Sequence, residues 1–308
     1  MIEIEGLRKV YDEIVAVDEL KLKIGDGEIC GYVGPNGAGK TTTLKMLSTL
    51  IPPTEGSAKV GGFDLLTEQV EIRKIMGFMP ENMGFYEDMT VEEYMDFFGR
   101  VYRIAQRPSV IRDLLDLVDL RGKRRALIST LSRGMRQRLG IAKTLVHDPQ
   151  VLLLDEPASG VDPRARIELR ELLKELRKMG KTIFISSHIL PDLEGICDSL
   201  AIIEQGKLIK HGSMGDILEA AAQHNIVELE VMKQDLKKAE RILHGIDCVA
   251  GIKVIGDDKL LVKFTGDRET CPRLVKALVG EGVRLISFHE RETKLDDAFL
   301  KITKGLVS

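Results

Sequence analysis

The stretch Gly34-Pro35-Asn36-Gly37-Ala38-Gly39-Lys40-Thr41-Thr42 fits the pattern G-x-x-x-x-G-K-[ST]. Its glycines let the backbone curl so that successive N–H groups converge on one point, where a following helix N-terminus adds partial positive charge. Such a cradle takes a triphosphate. Lys40 would place a point charge on the β- and γ-phosphates, and the Thr41 hydroxyl would ligate a magnesium ion bridging them. A second group of residues supplies the complementary chemistry. Val151-Leu152-Leu153-Leu154 is an apolar run that ends in Asp155 and Glu156. Asp155 would hold the ion through its shell, and Glu156 would take the proton from an attacking water.

The pattern has meaning only between a strand and a helix. Ile29 to Val33 reads as a short buried strand before the loop, and Leu44, Leu47 and Leu50 recur at helical spacing after it. Val151 to Glu156 and Thr182 to His188 read as buried parallel strands that deliver polar groups to the mouth of a sheet. A helix from about Pro163 to Met179 joins them, with Ile167, Leu169, Leu172, Leu173 and Leu176 available for packing. Alternation at Ile2, Ile4 and Leu7, and again at Leu20, Leu22 and Ile24, predicts antiparallel strands with one wet face and Tyr11 between them. Gly56 to Val60 and Ile75 to Met79 continue what reads as one open α/β sheet, with a short helix through Val70 to Lys74. Residues 87–146 turn helical, and their many basic side chains, Arg100 and Arg103 to Arg125 among them, read as a solvated face, with a partner-facing patch as the alternative. Ser199 to Ile203 and Lys207 to Lys210 form a hairpin. Beyond residue 215, a linker over 216–225 leads to a β-α-β-β-α-β pattern over 226–308, closed by a helix opening on the capping box Thr293 to Asp296.

Composition narrows the field. The 308 residues are 44% hydrophobic and 30% charged with a formal net charge of -3, so no nucleic-acid partner is expected. Cys30, Cys197, Cys248 and Cys271 form no C-x-x-C pair, which argues against a zinc ribbon or a disulfide framework. No apolar run approaches the roughly 18 residues of a membrane span, and Met1 to Glu5 lacks the order of a signal peptide. Work at a membrane would require another chain to supply the spans.

Leu131-Ser132-Arg133-Gly134-Met135-Arg136-Gln137-Arg138 resembles the signature motif of ATP-binding cassette (ABC) ATPases, usually written LSGGQ. Ser159-Gly160-Val161-Asp162 is similar to that family's D-loop, and His188 to its switch histidine. The resemblance covers about the first 210 residues. It implies a P-loop ABC ATPase domain of α/β class over 1–215, with a mixed sheet and a helical subdomain; beyond it, the β-α-β-β-α-β pattern itself reads as a small C-terminal α+β ferredoxin-like domain. The resemblance further implies that Tyr11 lies against adenine, that Gly37 to Thr42 surround the phosphates, and that His188 bonds the γ-phosphate. Taken alone, Tyr11 and His188 read as core residues; the motifs around them favour the site. Ser132 and Gly134, with Asp162 nearby, would complete the ATP site of an opposite subunit in an ATP-dependent head-to-tail homodimer, or a heterodimer with a second ABC subunit.

The chain departs from the family pattern in two places. Arg133 and Met135 replace a glycine and a glutamine at the rim of the signature. Glu81, in Met79-Pro80-Glu81, stands where the Q-loop carries glutamine; it keeps an oxygen for magnesium but loses an amide donor. These variants and the C-terminal domain resemble ATPase subunits of type-2 ABC exporters, including drug-resistance and gliding-type systems. The expectation is therefore an ATP- and magnesium-dependent subunit that drives a transmembrane permease from the cytoplasmic face of the membrane. An importer ATPase is one alternative and a soluble ABC ATPase of repair, assembly or translation another. Repair types carry a long coiled coil between loop and signature and translation types two cassettes, whereas here only residues 43–130 intervene and one cassette is present. A metabolic kinase with a phosphate loop is a third, but it has no place for the signature or for His188.

Overall fold

The structure is a computed structural model describing residues 1–221, 225–265 and 270–291. It divides into two compact units, Met1–Met214 and Gly215–Ser308.

In the first unit the expected single sheet is two. Strands β1 (Ile2–Tyr11), β2 (Ile14–Ile24), β4 (Glu55–Val60) and β5 (Phe63–Asp64) make an antiparallel sheet in the order β2-β1-β4-β5. Strands β3 (Ile29–Val33), β6 (Met76–Met79), β7 (Val151–Asp155), β8 (Thr182–Ser187), β9 (Ser199–Glu204) and β10 (Lys207–Ser213) make the other, in the order β10-β9-β3-β8-β7-β6. The sequence hid this split because both sheets use short apolar strands. What separates them is alternation: β2 ends in a buried-exposed rhythm, whereas β3, β7 and β8 are buried at every position. Tyr11 is not between strands but ends β1, paired with Ile14.

The two sheets share a core in which Ile2, Leu7, Leu20 and Ile24 from the antiparallel sheet meet Tyr32, Leu153 and Phe184 from the other. Helix α1 (Lys40–Leu47) adds Leu44 and Leu47 to that core. Leu50 does not follow them: Ser48 caps the helix, Thr49 takes a positive φ of 60°, and Leu50 is left exposed. Helix α2 (Gln69–Ile75) precedes β6, and α3 (Val91–Val101), α4 (Arg107–Leu117) and α5 (Arg133–Thr144) form the helical region. Thr90 and Glu93 close a capping box at the start of α3. Several basic side chains there pair locally at the surface, Arg100 and Arg107 with Asp96 and Arg121 with Asp116. Helix α6 (Pro163–Lys178) buries Leu169, Leu172, Leu173 and Leu176, but Ile167 faces out.

Helix α7 (Met214–Ala221) leads into the second unit. There β11 (Asn225–Val231), α8 (Leu236–His244), β12 (Val249–Ile255), β13 (Lys259–Phe264), α9 (Thr270–Gly280) and β14 (Leu285–Arg291) follow the β-α-β-β-α-β order. The sheet runs β12-β13-β11-β14, antiparallel throughout, which is the ferredoxin-like arrangement. Val227, Leu229, Leu260, Val262 and Phe264 pack on Leu243, Leu274 and Leu278 in a core of their own. The capping box and helix expected from Thr293 onward lie outside the described residues.

Candidate functional site

Strands β6, β7, β8 and β3 are parallel neighbours, so their carboxyl ends lie along one edge of the sheet. The segments leaving those ends carry Glu81, Glu156, His188 and the Gly34–Lys40 loop. The mouth of an open parallel sheet is where such folds bind ligands. A cleft of about 530 Å³ opens there, lined by Ala16, Asn36, Gly37, Gly39, Lys40, Thr41, Thr42, Glu81, Glu156, Ser159 and His188.

The loop's shape depends on its glycines. Gly37 and Gly39 have φ of 82° and 102°, and a Cβ on Gly39 would fall 2.4 Å from the Ala16 carbonyl oxygen. No other residue type fits at Gly39. Lys40 is 6% exposed, and its Nζ donates to the carbonyl oxygens of Gly34 (2.7 Å) and Pro35 (3.1 Å). Those two residues therefore act on the site by holding the lysine, while Ala38 is buried behind the loop.

Glu156 follows β7 with a φ of 50°, a left-handed conformation that a glutamate adopts only when its surroundings impose it. The surroundings are visible. The Glu156 amide donates to Ser186 Oγ (2.9 Å), and that hydroxyl donates to Asp155 Oδ1 (2.7 Å), so one serine fixes both acids. His188 Nδ1 lies 2.8 Å from Glu156 Oε2. The other oxygen, Oε1, is 3.4 Å from Lys40 Nζ and is buried without a hydrogen bond. An orphaned carboxylate oxygen in a cleft, next to a buried ammonium, suits a site that receives a proton beside a polyanion. Loop, lysine and acids thus fit a magnesium nucleotide.

The remaining expected residues lie apart from this cleft lining. Ser132 is exposed and serves as N-cap of α5, its Oγ accepting from the Met135 amide at 3.3 Å. Gly134 is buried, and a Cβ there would come within 2.7 Å of Ala165 Cβ on α6, so close helix packing alone requires it. The Arg133 guanidinium lies over Gly160, whose missing Cβ gives it room. Asp162 caps α6 by accepting from the Ala165 amide (3.0 Å), which holds its carboxyl below the usual range. Tyr11 is 43% exposed, with Lys9 Nζ 5.1 Å from its ring centroid. Arg136 grips Glu87 with its two terminal guanidinium nitrogens, at 2.6 and 3.0 Å, and so ties the segment after Glu81 to the signature helix.

Three contributors went unmarked in the sequence. Ser186 had a signal, a hydroxyl inside an otherwise apolar buried strand two residues before His188. Arg136 and Ala16 had none, since each matters through a neighbour distant in the chain.

The family profile described as ABC transporter matches residues 17–159. Over 98% of this chain and 98% of the other, the sequence is 30% identical to the linearmycin resistance ATP-binding protein LnrL of Bacillus subtilis (strain 168). The chain belongs to the ABC transporter ATP-binding family. It is also 33% identical to the bacitracin transport ATP-binding protein BcrA of Bacillus licheniformis, over 99% of this chain and 98% of that one. Among solved structures, an ATP binding subunit of an ABC transporter superimposes with a TM-score of 0.64 at 28% identity, covering 71% of this chain and 92% of the other. As a member of this family the chain is an ATPase with the fold expected of one, and no helix among its described residues is long and apolar enough to cross a membrane.

Proposed function

We propose that the chain is the ATP-hydrolysing subunit of an exporter, acting from the cytoplasmic face of the membrane on a separate transmembrane permease. The observation that carries this reading is the near-complete overlap with ATP-binding proteins named for linearmycin resistance and bacitracin transport, C-terminal unit included.

In this reading Lys40 neutralises charge on the β- and γ-phosphates, and the amides of Gly37 to Thr42 cradle them. Tyr11 stacks on the adenine. Glu156 Oε1 accepts the proton of the attacking water, while His188 steadies the same carboxylate through Oε2 and turns toward the γ-phosphate. Bound magnesium would neutralise phosphate charge and orient the leaving group; in this reading Thr41, Asp155 and Glu81 would hold it. Ser132 and Gly134 face the nucleotide of a second subunit, head to tail, with Asp162 setting the helix beside that contact. The division at residue 214 supports treating 1–215 as the nucleotide-binding domain and 226–308 as a separate domain joined by a linker.

The test is to purify the tagged chain from detergent-solubilised membranes of its own cells. Recovery with a polytopic partner and magnesium-dependent ATPase activity is expected. A chain found only free of membranes, hydrolysing ATP without any such partner, overturns the exporter reading.

A further inference from the structure

Away from the nucleotide cleft, Glu28, Cys30 and His211 bring a carboxylate oxygen, a thiol sulfur and an imidazole nitrogen within 4.8 Å of one another. We propose that these three side chains form a binding site for a borderline-soft divalent cation, zinc in particular.

The topology explains why they meet. Cys30 on β3 pairs with Ser199 on β9, and Ser199 pairs with Ser213 on β10, so these three residues share one face of the sheet. His211 lies two residues from Ser213, and Glu28 two residues before Cys30, which returns both to that face. Strands β3 and β10 are separated by β9 and stand roughly 9–10 Å apart. Across that gap β9 places Ser199 opposite Cys30 and Ala201 opposite His211, both small enough to let cysteine and histidine approach. Ser199 also donates to Glu28 Oε1, and the Gly25 amide donates to Glu28 Oε2 at 2.6 Å, so the carboxylate is held in place. Each oxygen keeps a lone pair for a metal. A histidine ring at the exposed edge, a carboxylate at intermediate depth and a fully buried thiol form a ligand set graded from surface to interior.

The donor set selects the ion. Thiolate and imidazole with one carboxylate suit zinc, whereas magnesium takes oxygen ligands and keeps its waters. The site is therefore chemically separate from the magnesium nucleotide cleft. Three protein ligands leave a fourth position for water. Metal binding must displace the thiol proton, so it releases acid. A bound ion would clamp the start of β3, whose other end opens into the phosphate loop, to the edge strand β10.

The test uses the full chain, stripped of metal and titrated with cobalt(II) as a spectroscopic stand-in, then with zinc in competition. One cobalt per chain is expected, with a thiolate-to-cobalt charge-transfer band that zinc abolishes. Cys30→Ser should lose the band. Because Cys30 is a core residue, His211→Ala, at an exposed position, is the safer variant; it should weaken binding by at least about tenfold while nucleotide binding persists. Cys248→Ser should leave the band intact. Absence of a charge-transfer band in the parent chain overturns the site, as does a band that His211→Ala leaves at parental affinity or that Cys248→Ser removes.

Discussion

The phosphate-loop side and the signature side of the first unit are built on opposite plans. On the loop side the central charged groups are held by their own chain: Lys40 on two loop carbonyls, Asp155 and Glu156 on Ser186, His188 on Glu156. Lys40, Asp155 and Glu156 are all under a tenth exposed. On the signature side Ser132 and Arg133 are exposed, Ser132 and Asp162 serve as helix caps, and the Arg136–Glu87 pair lies at the surface away from the cleft lining. Burial and mutual bonding preorganise one half for electrostatic work, because fixed groups in a dry site need no rearrangement when charge develops. The other half presents a helix N-terminus outward, a surface that becomes an anion site when something is set against it.

This contrast sets the order of effects. Lys40→Ala should remove magnesium-dependent turnover and tight nucleotide binding together, since it deletes a buried cation and leaves Glu156 uncompensated. Fluorescent-nucleotide titration and phosphate release measure both; parental turnover would break the assignment of the loop. Glu156→Gln keeps the shape and the bond to His188 but not the base. Turnover should fall about 10²–10⁴-fold with nucleotide still bound, and light scattering should show a dimer accumulating with ATP.

Ser132→Arg should leave nucleotide binding intact, because Ser132 does not line the cleft. Turnover should still fall, because the large side chain spoils the contact that this signature makes to the other subunit's nucleotide. Mixing this variant with Lys40→Ala sharpens the comparison. In a head-to-tail pair one of the two sites then combines an intact loop with an intact signature, so two inactive proteins should recover activity together. If the mixture stays as inactive as its components, the signature half does not act across subunits.

Much of this could be read from the chain. The loop, the Asp155-Glu156 strand end and the β-α-β-β-α-β order were legible because each is a local pattern with a physical cause. What escaped depended on contacts between distant segments. The partition into two sheets follows from pairing, and short apolar strands look alike wherever they pair. Leu50 and Ile167 fitted a helical period, yet one lies past a cap and the other points outward. At Gly134 the motif carries no sign of a second demand on the residue, its close approach to Ala165 on a neighbouring helix.

Position 81 carries the smallest expected effect and tests the boundary between the two halves. Glu81 is exposed and lines the cleft, and the chain that follows it reaches the signature helix through the Glu87–Arg136 pair. A carboxylate near the terminal phosphate is repelled unless a cation lies between them. If Glu81 holds the ion, Glu81→Gln retains an oxygen and should titrate with magnesium much as the parent does. Glu81→Ala removes the ligand, and the magnesium concentration for half-maximal turnover should rise about tenfold. If Glu81 instead acts as a hinge between cleft and signature, the two variants respond alike. Magnesium titrations that coincide for Gln and Ala would take Glu81 out of the metal site, and Arg136→Ala would then become the informative change, because the same segment would lose its other anchor.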